Sequence, residues 1–150
     1  HALSLSGQTL GEIVDALLSR SMLGAGARTP YPLDLASPAV LALVGAACRE
    51  ARRGGVMSVH VTLQPGLGLA TAARQALAPI APTTSVQVLD VRSTPGCADL
   101  EALVVQAEHG VWLCCGRVDK DRFRGVHAAD PLLGDLLLQR MVQAGAMRAG

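Results

Sequence analysis

A chain of 150 residues, half of them hydrophobic and 17% charged, has the apolar material for one core and the length of one ordinary domain. Its formal charge of +1 argues against the basic field that sequence-independent nucleic-acid binding needs, and no apolar run approaches the roughly 20 residues of a membrane helix. The mean hydropathy of +0.35 is high for a soluble monomer of this size, which points to surface hidden by a protein partner, a second copy first of all.

The first predicted element is a helix in "SGQTLGEIVDALLSRSM". Thr9 stands three residues before Glu12, the spacing of a capping box, and Leu10, Ile13, Val14, Leu17, Leu18 and Met22 follow at helical intervals. "GAGARTPYPLDLAS" mixes glycine and proline with polar residues and is expected to be a loop. The chain therefore divides into an N-terminal helix and linker, 1–36, and an α/β domain, 37–150. Ser37 and Pro38 open a second helix, expected over 38–53 and stopped by Gly54 and Gly55.

"VMSVHVTL" then alternates as a strand, "LGLATAARQALAPI" has a helical pattern ended by prolines, and "SVQVLDV" is another strand. "ADLEALVVQAEH" is expected to be a helix closed by Gly110, and "VWLCCG" a short strand buried on both faces. "RVDKDRFRGVH" forms a charged hairpin that returns near Val126, and Asp130 with Pro131 starts a last helix whose leucines cover more than one face. Strands alternating with helices of this length imply βαβ units. The expected fold is a three-layer α/β sandwich with a small, mainly parallel sheet of three to five strands and an N-terminal helical extension; the alternative is α+β with an antiparallel sheet.

In a parallel sheet, ligands bind beyond the carboxyl ends of the strands, where the two Pro-Gly turns, Pro65-Gly66 and Pro95-Gly96, fall. Gly66 and Gly68 would let backbone amides approach an anion, but a third glycine, a Walker lysine and an acidic ribose partner are missing, so turn formation is the leading reading and no cofactor is expected. Cys97, expected in the first residues of a helix, is the candidate nucleophile and ligand-site residue, because a helix N-terminus lowers a thiol pKa. No arginine or second cysteine follows at the spacing of a phosphate loop or a redox pair, which favours capping or packing for Cys97. The four cysteines, Cys48, Cys97, Cys114 and Cys115, lack CxxC spacing and disulfide-scaffold density, so free thiols in a reducing cytoplasm are expected; no histidine pattern suggests a metal.

The most distinctive exposed stretch is "GRVDKDRFRG", where Arg117, Lys120, Arg122 and Arg124 surround Phe123. Arginine beside an aromatic has the composition of a protein-contact hot spot, and the intervening aspartates disfavour nucleic acid. Leu133 and Leu137 are the expected self-association face of the last helix. The resulting expectation is a non-catalytic, self-associating interaction or assembly module of a regulatory or structural protein; the alternative is a small-molecule sensor or enzyme using Cys97 and the loops at the strand ends.

Overall fold

Thr9 and Glu12 close their capping box: the Thr9 amide donates to Glu12 Oε1 at 2.9 Å, and the Glu12 amide to Thr9 Oγ1 at 3.3 Å. They start α1 (Leu10–Met22) in a computed structural model that describes residues 8–22, 31–53, 56–62, 69–77, 85–108 and 110–149. The chain continues through β1 (Tyr31–Ala36), α2 (Ser37–Arg53), β2 (Val56–Thr62), α3 (Leu69–Leu77), β3 (Ser85–Leu89), β4 (Leu100–Ala107), β5 (Gly110–Asp119), β6 (Arg122–Ala128) and α4 (Pro131–Ala149). At the start of α4 Asp130 accepts from the amides of Leu132 and Leu133 at 3.0 and 3.2 Å, the N-cap that Asp130-Pro131 announces.

The six strands lie in the order β1-β6-β5-β4-β2-β3. This corrects the expectation of a small, mainly parallel sheet: only β2 and β3 pair parallel, and the other four pairings are antiparallel, as the alternative α+β reading had it. The cause is local. Residues 98–109, expected to be a helix, contain β4, so the crossover helix that would have carried another parallel strand does not exist. Leu100 and residues 102–105 form an apolar run buried on both faces, in which helical and strand periodicity cannot be told apart, and Val104-Val105 suits a strand. The proposed linker likewise contains β1, which pairs with β6 from Tyr31↔His127 to Ala36↔Arg122.

Alternation along the strands sends side chains into two apolar layers. Leu113, Cys115, Leu100, Ala102 and Val104 meet α1 and α4 through Ile13, Val14, Leu17, Leu137 and Met141. Cys114, Leu103, Val105, Val59, Val61 and Phe123 meet α2 and α3 through Val40, Val44, Cys48, Leu69 and Ala73. Adjacent Cys114 and Cys115 thus point into opposite layers. The broad apolar surface of α4 lies on the sheet and beside α1: Leu137 is fully buried, and Leu133 is half-buried against the same cluster. Among the described residues no helix is long and apolar enough to cross a membrane.

Candidate functional site

The end of the sheet beyond β3 holds the second Pro-Gly turn. Cys97 donates its amide to the Thr94 carbonyl at 3.0 Å across Pro95 and Gly96, whose φ of 80° matches the residue pattern of a type II turn. The next turn is closed from the Leu100 amide to the Cys97 carbonyl at 3.2 Å, and β4 begins there. Cys97 therefore lies between turns, without the helix N-terminus that was to activate it. It is 1% exposed, and burial pushes its thiol up from the ordinary value while Arg117 acts in the opposite direction. The charged groups that act on it among the described residues are Arg117, Asp99 and Asp15, with no imidazole among them.

Arg117 is the fastener at this end. Its guanidinium donates to Asp15 at 2.8 and 3.3 Å, to Asp99 at 2.5 Å and to the Gly96 carbonyl at 2.9 Å, tying α1 and the turn to β5. A Cβ added at Gly11 would stand 2.9 Å from the Gly96 carbonyl oxygen, so glycine lets α1 approach the turn this closely. Gly66 and Gly68 lie outside the described residues.

The charged hairpin is also at this end. Lys120 and Asp121 form its tip, with Lys120 at a φ of 59°, and both are exposed. Arg122 donates to Asp34 Oδ1 at 2.8 Å and to the Asp34 carbonyl at 2.9 Å, while Arg124 is exposed on β6. Phe123 is completely buried, with its ring over Gly116 and Gly125, which pair across β5 and β6. A ring that caps two facing glycines is core. Of the expected contact cluster, Lys120, Arg122 and Arg124 are at the surface, Arg117 is half-buried in its ion pairs, and Phe123 holds the strands together.

The opposite end of the sheet carries a feature that sequence reasoning passed over. An open cleft of about 850 Å³ is walled by Ala47, Glu50 and Ala51 of α2, floored by Val105, Ala107, Val111 and Trp112, and bounded by Ala129 and Pro131 at the start of α4. Small side chains on α2 and β4 create the space. Trp112 continues into an aromatic row across three strands: its ring centroid is 6.0 Å from that of His127, which stacks on Tyr31 at 5.4 Å and 27°. Burial holds the His127 imidazole below its usual pKa, favouring its neutral form. Tyr31 is 63% exposed, and Leu132, next to Pro131 on the rim, is 82% exposed.

This row contains the chain's single tyrosine and single tryptophan. Their rarity was the available signal. Bringing them together requires the β1-β6-β5 register, in which Tyr31 and Cys114 both face His127 and Trp112 lies diagonal to it. Among the described residues no group of three or more His, Cys, Asp and Glu side chains could hold a metal ion. No family model, curated protein or solved structure matches the chain.

Proposed function

We propose that this chain is a non-catalytic α/β module that works by association with other protein chains, as part of a regulatory or structural assembly, and that it docks through the end carrying the Trp112 cleft. One observation carries the reading: a broad apolar concavity lies beside two large exposed apolar side chains, Tyr31 and Leu132. Interfaces concentrate their energy in aromatic and aliphatic anchors seated in pockets, with a polar rim that excludes water. Trp112 and Leu132 supply such anchors, and Glu50 is exposed on the cleft wall. A buried, protonated Cys97 weighs against the alternative of a sensor or enzyme at the carboxyl ends of the strands. Four free, buried cysteines fit a reducing, cytoplasmic setting.

Site-specific photocross-linking tests the proposal. A photoreactive residue at Leu132 or Tyr31 should yield a defined adduct in the native cell, while one at Asp119, on the hairpin at the far end, should not. Adducts that form equally at all three positions, or at Asp119 alone, would remove the cleft from consideration.

A further inference from the structure

The two margins of the sheet are built differently, and from that difference we infer that the outer edge of β3, which no described residue pairs, is a second interface, at which two copies of this chain pair β3 to β3, antiparallel, about a twofold axis. β1 carries the usual guards of an edge: Pro32 lacks an amide hydrogen, and Asp34 is held by Arg122 beside the strand. β3 has none of them. Its sequence, "SVQVL", contains no proline and no charge, and β2 is its one partner among the described residues. Val86 and Val88 pack toward α2 and α3, Leu89 toward α4, and Gln87 is exposed, which leaves a row of backbone donors and acceptors between two apolar shoulders.

Helix α4 extends one shoulder. Gly145 lies against Leu89, where an added Cβ would be 3.5 Å from the leucine Cδ2. Arg140 donates to the Gln8 carbonyl at 2.7 Å, which marks the flank of α4 turned toward the N-terminal segment. Residues two apart on a helix point about 200° apart, so Val142, 43% exposed, lies on the other flank, the side of Leu89 and β3.

Charge decides in favour of a second copy as the occupant. An uncharged strand can face itself without repulsion, and a twofold axis gives each copy the same contacts. The β3 interface is distinct from the proposed docking end, and either can fail alone.

Sedimentation equilibrium on the full chain at micromolar concentration, with concentration-dependent hydrogen exchange, tests the inference. The expected mass is twice 15.5 kDa, with protection of amides 86–89 rising as dimer forms. Gln87→Lys combined with Val142→Lys changes only exposed positions and places like charges across the axis, so it should weaken dimerisation by about tenfold or more at unchanged circular dichroism. Leu132→Asp should leave the dimer intact. Should the double variant fail to fold, exchange at 86–89 in the unaltered chain decides. A monomer up to 100-micromolar order, a dimer without added protection at 86–89, or a dimer dissolved by Leu132→Asp and untouched by the double variant would overturn the inference.

Discussion

Replacing Phe123 by alanine should cost the fold far more than removing any charge around it. The side chain is fully buried, and its ring carbons are the nearest side-chain atoms to the Cβ positions of both Gly116 and Gly125. Truncation of a buried phenylalanine loses its transfer free energy and leaves a cavity, together about 3–5 kcal/mol. The middle of that range applies, because the wall formed by Gly116 and Gly125 has no side chain to move in, while the aliphatic neighbours on the helix side can relax in part. At about 2–4 °C per kcal/mol for a domain of this size, a loss of about 4 kcal/mol lowers the melting temperature by roughly 8–16 °C. The ion pair of Arg122 with Asp34 is more than half exposed on both sides, so Arg122→Ala should cost no more than about 1 kcal/mol. Calorimetry or urea titration of the two single variants separates them. A Phe123→Ala chain that melts within about 2 °C of the original, or that is the more stable of the pair, would refute the assignment of this ring to the core.

Arg117→Ala should loosen the start of α1, which stays seated by its buried core residues, raising hydrogen exchange most near Asp15 and costing about 1–3 kcal/mol, and Arg117→Lys should restore little because one ammonium cannot reproduce the paired contacts to Asp15 and Asp99. Asp130→Ala should cost about 1 kcal/mol by uncapping α4, read as a lower urea midpoint at unchanged slope. The native thiols should react slowly, with peptide mapping showing no preferential alkylation of Cys97. Burial raises Cys48 from 9.0 to about 11 and Cys115 from 9.0 to about 12, so the native state holds protons that the unfolded chain releases. Their contribution is fully present below about pH 9 and is lost as pH rises toward 11 and 12; alkaline melting curves should flatten in that window when both are replaced by alanine.

Short-range chemistry was legible without a fold. The capping box at Thr9 and Glu12, the aspartate cap at Asp130, the Pro95-Gly96 turn and the β5-β6 hairpin each depend on residues a few positions apart, and the structure contains all four. The alternation that puts Cys114 and Cys115 on opposite faces is equally local. What the chain does not encode locally is which strands meet. A run such as "LEALVVQA" is buried on both faces, so its hydrophobic pattern carries no period, and only pairing with β2 and β5 makes it a strand. "YPLDLA" is half-exposed and interrupted by proline, and it became an edge strand through its ladder with β6. The same long-range register set the roles of the candidate residues. Phe123 became core because it faces two glycines, Cys97 became buried because α1 and Arg117 close over its turn, and Tyr31, His127 and Trp112, spread over more than 80 positions of sequence, became one surface. Local hydrogen bonds are made by neighbours in sequence and can be read there, whereas burial and cross-strand contact are properties of the closed sheet, which only the tertiary structure decided.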